Sequence, residues 1–440
     1  MTDNCFTDTK KLKSIKILII ALIVITSILP ALFIQLNEND ASLNTYKLFA
    51  KVGSLIATVL FTWQFILGFS QALSYIIKDL IWTVNLHKNL GRFACSLIFL
   101  HPIFITFYYL EKENKNLFSF TMSSPFDYYV LFGMITFLIM LIIFITSTAL
   151  RRRLSFDRWY NWHLVSYLML PLAIIHSFPI GSTIQNTPAK TIWYILTAVI
   201  IIFYIYRIAC RLCLLSKPYK VIKTQKVADS TTEITMSPLK KPIIPQLSQF
   251  IYIRRGFWKI ARPYTVSDYN QQNNNLSITA KALGKTSSDL QNITLDTTVW
   301  IQGPYGIFAN NILKCSAPVV MAAGGIGITP FRRIFKTLQH QPKRNFYLFY
   351  GNKVQTDVAY EDEFQHSDNI KVIPVISDQP DYAGETGYIT VELIEKHIAD
   401  PLQKHQFFIC GPAIMTTKLE NELIQKNVPK AQIHHELFSY

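Results

Sequence analysis

Six stretches of the chain are long and apolar enough to cross a bilayer, which takes about 20 helical residues. They fall at approximately 17–36, 52–76, 86–110, 128–149, 159–180 and 191–210. After the sixth the pattern changes. Residues 218–312 carry short β-rich runs broken by polar stretches: YKVIKTQKV, TEITMSPL, SQFIYIRR, NLSITAKAL and TTVWIQG. That pattern predicts a small antiparallel barrel. From Ala317 buried strands (PVVMAAGG, NFYLFYG, KVIPVIS, QFFICG) alternate with helical segments, which predicts a parallel α/β sheet. The expected fold is a membrane α-helical bundle of six transmembrane helices, then an antiparallel β-barrel, then a Rossmann-like α/β domain. The expected boundaries are 1–214, 215–312 and 313–440. The asparagine-rich QQNNN at 271–275 reads as a hairpin or loop tip, and no internal repeat is visible.

Charge refines this picture. Half of the 440 residues are hydrophobic, yet the net charge is +15. Such a surplus first suggests nucleic acid. Here the cations flank the apolar runs instead. Lys10, Lys11, Lys13 and Lys16, then Lys78, Lys88 and Arg92, then Arg151, Arg152, Arg153 and Arg158, then Arg207 and Arg211 all fall on one set of flanks. The opposite flanks hold acids such as Glu38, Asp40, Glu111 and Glu113. Positive loops stay in the cytoplasm. The expectation is a multi-pass protein of the cell membrane with both termini cytoplasmic, the bilayer as partner and no nucleic acid. The first apolar run is too long for a cleaved signal and is followed by no small-residue cleavage site. The six cysteines are scattered, without the spacing of a disulfide framework or a zinc site apart from the Cys210/Cys213 pair, which lacks a redox-motif context.

Ten histidines occur, and four lie in the third and fifth apolar stretches: His87 and His101, His163 and His176. Ionisable residues inside membrane helices mark function. The first two are fourteen residues apart, about 21 Å of helix and about 40° from one stripe. The second two are thirteen apart, about 20 Å, and an ideal helix would turn them about 140° from each other. Pro171 lies between them and is expected to kink the helix and re-aim one ring. Both helices enter from the cytoplasmic side, so matched depth pairs His87 with His163 near the inner face and His101 with His176 near the outer face. Two bis-histidine haems, six-coordinate and suited to electron transfer, are the expected occupants.

The soluble half carries its own chemistry. Arg262, Pro263, Tyr264 and Thr265 form a string in which a cation can hold a flavin pyrophosphate, an aromatic can stack and a hydroxyl can meet the flavin edge. Gly284, Thr286 and Ser287 precede a short helix whose amides can meet phosphate. Gly324, Gly325, Gly327, Thr329 and Pro330 follow a buried strand and open a helix, a place for a dinucleotide pyrophosphate. Cys410, Gly411 and Pro412 end another buried strand, where ligand crevices of open α/β sheets lie.

Together these residues resemble the ferric reductase and NADPH oxidase superfamily in its compact bacterial form, with a ferredoxin-NADP reductase-like dehydrogenase. The histidine spacings, NLHKNLGR around His87, RWYNWHLVSY around His163, and RPYT, GGIGITP and CGP in that order carry the likeness. The resemblance implies an inner-membrane oxidoreductase that passes electrons from cytosolic NADPH or NADH through FAD and two b-type haems to oxygen or a ferric chelate outside. A hydride brings two electrons and a haem takes one, so the flavin is where the pair divides. It implies that Arg262 contacts the FAD pyrophosphate, with Tyr264 and Thr265 at the isoalloxazine, and that Gly324, Gly325, Gly327 and Thr329 bind the dinucleotide. It places Cys410 near the nicotinamide and Phe438 over the flavin ring. Two departures stand out. The usual Pro-Gly-Gln-Phe strand start reads Leu247-Ser248-Gln249-Phe250, and a second outer histidine found in several oxidases is Ile105, which argues against oxygen as acceptor. Lys51 is expected to start the second helix near the outer haem, and Lys353 sits where a cation can meet a 2′-phosphate. A transporter or channel with a nucleotide-sensing domain, or a structural haem protein, leaves RPYT and GGIGITP together unexplained.

Overall fold

The computed structural model describes residues 9–74, 76–119, 122–257, 259–309, 312–338, 346–365 and 370–437. It divides into two compact units, Lys10–Ile208 and a second that runs from Ala209.

The first unit contains six helices long and apolar enough to span a membrane: α1 Leu12–Phe33, α2 Ala41–Gly68, α3 Leu80–Glu113, α4 Pro125–Ser147, α5 Phe156–Ile180 and α6 Ala189–Arg211. Their starts follow local chemistry. Asp40 and Asp79 accept from the backbone N–H of Ser42 and Trp82, and Ser124 with Asp127 forms a capping box before α4, where Pro125 needs no N–H partner. Ile17, Leu18, Ile25, Leu138, Ile202 and Ile205 face outward, which suits hydrocarbon and not water. The helix α2 is the most enclosed, with Ala57, Leu60 and Phe61 in one cluster and Leu55 and Val59 in another.

Two helices are interrupted, at Phe99 in α3 and at Val165 in α5. Pro102 explains the first, because it has no N–H to offer the carbonyl of Ile98. The second lies ahead of Pro171, and the helix continues through that proline. The carbonyl of Tyr167 that Pro171 leaves without its helical partner accepts instead from the Tyr204 hydroxyl on α6. The turn tightens earlier, where Val165 N–H bonds Trp162 O at 3.1 Å and Leu168 N–H bonds Val165 O at 3.0 Å. A three-residue turn advances about 120° per residue against about 100° for an α-helix, so each tightened residue closes part of the angular gap between His163 and His176.

The second unit opens with a closed barrel in the order β1-β2-β5-β4-β3-β6. Its strands are β1 Lys217–Ala228, β2 Thr231–Pro238, β3 Phe250–Arg254, β4 Arg262–Asn270, β5 Asn275–Lys281 and β6 Thr298–Tyr305. Alternating inward residues such as Tyr219, Val221, Ile234, Ile251, Val266, Ile278 and Ile301 fill it. The strand β4 is the one that the apolar pattern alone does not mark, because Arg262, Asp268 and Asn270 dilute it. A short helix α7, Lys285–Gln291, follows β5.

The chain then forms a six-stranded sheet in the order β10-β9-β8-β7-β11-β12. The strands are β7 Val319–Gly324, β8 Phe346–Asn352, β9 Ile370–Ile376, β10 Glu385–Thr386, β11 Gln406–Gly411 and β12 Ile433–Leu437. Its helices are α8 Thr329–Leu338, α9 Glu361–Gln365, α10 Val391–His397 and α11 Ala413–Gln425. Core clusters cover both faces, as parallel strands require. Order reverses between β7 and β11, which makes their carboxyl ends the topological switch point. Cys95, Cys210, Cys213 and Cys410 are free thiols, and Cys315 is disulfide-bonded.

The barrel and the sheet meet through buried charge. Arg332 on α8 makes a bidentate pair with Glu363 and a third bond of 2.7 Å to Glu233 on β2, with its guanidinium 3.7 Å from the Tyr360 ring centre. Lys336 bonds Asp268 on β4, and Lys281 on β5 bonds Asp357. Asp268 is held below its usual range by Lys336 against the opposing cost of burial. A buried set of this kind is costly to break from one side, because the survivor is left charged and unpaired.

Candidate functional site

In the first unit the four histidines meet as two pairs. The ring centres of His87 and His163 are 6.2 Å apart, and those of His101 and His176 are 6.1 Å apart. Metal–imidazole bonds are about 2.0–2.1 Å, so two rings bound to opposite sides of one ion stand with centres about 6 Å apart. Each Nδ1 is already engaged. It lies 2.8 Å from Gln64 O in His87, 3.1 Å from Ala50 O in His101 and 2.7 Å from Tyr129 O in His176. A carbonyl can only accept, so in these three rings Nδ1 carries the proton and Nε2 keeps the lone pair for a metal. In His163 the neighbour is Ser147 Oγ at 3.3 Å, which also accepts from Trp159 Nε1. The Trp159 ring stacks on His163 at 5.1 Å, and Arg151 lies over the Trp159 ring at 4.6 Å.

Among the described residues, no three His, Cys, Asp or Glu side chains gather as a metal site. Each pair thus offers two ligands, and the remaining positions on an ion must come from elsewhere. Two facing imidazoles with free Nε2 lone pairs are the donors that would hold a haem iron, so the donor set fits that group.

Lys51 lies well inside α2, not at its start, and directly follows Ala50, whose carbonyl holds His101. One turn earlier on α2, Lys47 bonds Glu38 at 2.9 Å, and Glu38 also takes Lys112 at 2.9 Å and Tyr108 at 2.8 Å. These contacts, Lys47 first, pull the Glu38 carboxyl down to about 2.

In the second unit Arg262, Pro263, Tyr264 and Thr265 begin β4, opposite Ile253, Tyr252, Ile251 and Phe250. Thr265 is buried, while Arg262 and Tyr264 are partly open. Burial pushes the Tyr264 phenol up. Gly284 precedes α7, and Ser287 Oγ accepts from the N–H of Leu283 and of Gly284 at 3.0 and 3.1 Å. The side chain of Thr286 lies outside the described residues.

At the switch point Ala323 pairs with Cys410 and Gly324 with Gly351. The glycines there do different jobs. A Cβ on Gly327 would stand 2.1 Å from Cys410 O, so its bareness lets the turn after β7 close on the end of β11. Gly325 has φ +54° and open space beside it, which leaves room for an approaching ligand. Thr329 and Pro330 are buried in the first turn of α8, and Thr329 bonds Ile326 O. Pro412 lies against Gly324, 2.8 Å from where a Cβ would be.

Cys410 is fully buried, and its thiol is pushed well above the ordinary value by burial first and by Glu436 second. Glu436 sits opposite Cys410 in the β11–β12 ladder. Its Oε1 is 3.7 Å from where a Cβ on Gly306 would be, and that Cβ would touch the Phe250 ring at 3.1 Å. Phe250 in turn pairs with Thr265. The structure therefore brings the RPYT strand and the CGP strand end to one place and adds a buried carboxylate that the motif reading did not include. The HHELF segment held that signal, but only the strand pairing shows what it faces. Phe438 lies outside the described residues.

Comparison with known proteins covers both units. Residues 53–174 match the ferric reductase like transmembrane component family. Residues 321–421 match the oxidoreductase NAD-binding domain family. NADH-cytochrome b5 reductase 1 of Lodderomyces elongisporus is 27% identical over 185 residues, 40% of this chain and 61% of that protein. NADH-cytochrome b5 reductase 2 of Scheffersomyces stipitis is 28% identical over 166 residues, 35% of this chain and 54% of that protein. The chain thus spans between half and two thirds of the length of these relatives. The fold is also similar to the flavohem-like FAD/NAD binding domain of nitric oxide dioxygenase from Vibrio cholerae, at 20% identity and a TM-score of 0.45, over 50% of this chain and 98% of that one. A ferric reductase like transmembrane component followed by an oxidoreductase NAD-binding domain matches the ferric reductase and NADPH oxidase superfamily, to which this chain, with six helices long and apolar enough to cross a membrane, is similar in both parts.

Proposed function

We propose that the chain carries electrons from cytosolic NADPH or NADH, through FAD and two b-type haems, to an acceptor on the outer face of the cell membrane. The observation that carries this reading is the pair of facing imidazole sets at 6.2 and 6.1 Å. FAD, when bound, takes two electrons from the nicotinamide and releases them singly, and haem iron passes them one at a time.

The residues divide the work. His87 and His163 hold the inner group, and His101 and His176 hold the outer one. Arg262 neutralises the FAD pyrophosphate, with Pro263 fixing the strand start and Tyr264 and Thr265 meeting the isoalloxazine. The loop Gly284, Thr286 and Ser287 lies at the diphosphate. Gly324, Gly325, Gly327, Thr329 and Pro330 cradle the dinucleotide, and Cys410, Gly411 and Pro412 form the floor beside the nicotinamide. Phe438 covers the flavin until nicotinamide displaces it. Lys353, exposed and 4.0 Å from Asp378, meets the adenosine ribose. The basic flanks, from Lys16 to Arg211, put both termini in the cytoplasm.

Of the two acceptors, ferric chelate is favoured over oxygen, because Ile105 leaves the outer site without a second histidine. Lys51, next to the Ala50 carbonyl that holds His101, has two roles to separate, a charge that reaches the lipid headgroups and a charge that draws an anionic chelate. The test is an anaerobic reduced-minus-oxidised spectrum of the purified protein after NADPH or NADH, followed by oxygen, ferric citrate and a quinone in turn. The expected result is reduced b-type bands that ferric citrate bleaches fastest. Absence of haem bands would contradict the reading, and fastest bleaching by oxygen would reverse the acceptor choice.

A further inference from the structure

Glycine is a poor helix former, so a glycine in mid-helix is best explained by what packs against it. Gly133 lies in the middle of α4, and the His176 imidazole fills the space where its side chain would be. A Cβ there would stand 2.6 Å from Cε1, 2.6 Å from Nδ1 and 3.0 Å from Cγ. These are atoms of a rigid ring, not the loose end of a flexible chain. One turn earlier on the same helix, the carbonyl of Tyr129 takes the Nδ1 proton at 2.7 Å. The ring is thus held by a bond at position 129 and by bare backbone at position 133.

We propose that Gly133 is the positioning residue of the outer histidine pair: it sets the tilt at which His176 faces His101. The proposal rests on the haem reading above. The inner pair has no counterpart. A Cβ on Gly68 would lie 3.7 and 3.9 Å from the His87 ring, an ordinary contact that calls for no movement. The same substitution at the two glycines therefore separates them. An added methyl at 133 forces the His176 ring off the Tyr129 carbonyl and out of line with His101. An added methyl at 68 fills free space.

The experiment compares full-length wild type, Gly133→Ala and Gly68→Ala, purified in detergent. It reads haem per chain, low-temperature electron paramagnetic resonance, and a spectroscopic redox titration. Wild type and Gly68→Ala should carry two haems with unchanged signals. Gly133→Ala should carry one haem per chain, or keep a second with an altered resonance and a shifted potential, while the inner signal stays as in wild type. Two unaltered haems in Gly133→Ala would overturn the proposal. So would equal loss of both haems, which is what a general packing role predicts, and the unchanged flavin content would show whether the rest of the chain had folded. A wild-type chain without haem would overturn the underlying reading, and is told apart because it needs no variant.

Discussion

The inner and outer histidine pairs have the same ligands at the same spacing and different surroundings. Both outer rings give their Nδ1 proton to backbone carbonyls, of Ala50 and Tyr129. Of the inner rings only His87 does so, to Gln64; His163 meets the hydroxyl of Ser147 and is stacked on by Trp159, over whose ring Arg151 lies. A carbonyl is a fixed acceptor and makes the imidazole a stronger electron donor to metal. A hydroxyl already accepting from an indole N–H does so less. Identical ligand residues therefore need not give identical sites: both outer rings are held by fixed carbonyls, and only one inner ring is.

The largest effects come from breaking one pair at a time. His163→Ala should remove the inner haem, and His176→Ala the outer one, each leaving about one of two haems by pigment analysis. Next in size is a control outside both pairs. Arg262→Ala removes a charge-assisted contact worth about 1.5–3 kcal/mol, so FAD should bind roughly tenfold or more weakly in a fluorescence titration while both haems stay. Ser147→Ala sharpens the contrast itself. It takes away the hydroxyl that His163 Nδ1 meets and should weaken inner haem retention about 10-fold, with the outer haem unaffected.

The smallest effect is in acid. Burial first, and His435 second, lower the His434 imidazole to about 4, from the unfolded value of about 6.5. The unfolded chain then binds the proton more readily, so this contribution to stability is full above about pH 6.5 and is lost as pH falls through about 4. Melting of the full-length protein followed by flavin release should fall across that window, and His434→Phe should flatten the fall while retaining the stack on Phe408.

Much of this was legible in the sequence. The six spans follow from apolar length alone, and the four histidines stand out because charge is rare in a bilayer. Ideal helix geometry does not bring His163 and His176 into line, and Pro171 alone does not show that the Tyr204 hydroxyl satisfies the carbonyl it frees. The tightened turn at Val165 has no residue signature. Nor do Gln64, Ala50 and Tyr129, which act through backbone carbonyls that every residue possesses. In the second unit the RPYT and GGIGITP strings mark their strands, but Glu436 gains meaning only from its register with Cys410, and β12 is short and too polar in IHHEL to read as a buried strand.

Electrons are expected to reach the inner pair before the outer one. This order is tested most directly by anaerobic stopped-flow reduction of His163→Ala, with the outer haem first confirmed by its dithionite spectrum. The account predicts that NADPH or NADH bleaches the flavin at the wild-type rate while the outer haem stays oxidised until dithionite is added. Reduction of the outer haem by the nucleotide at the wild-type rate would contradict it.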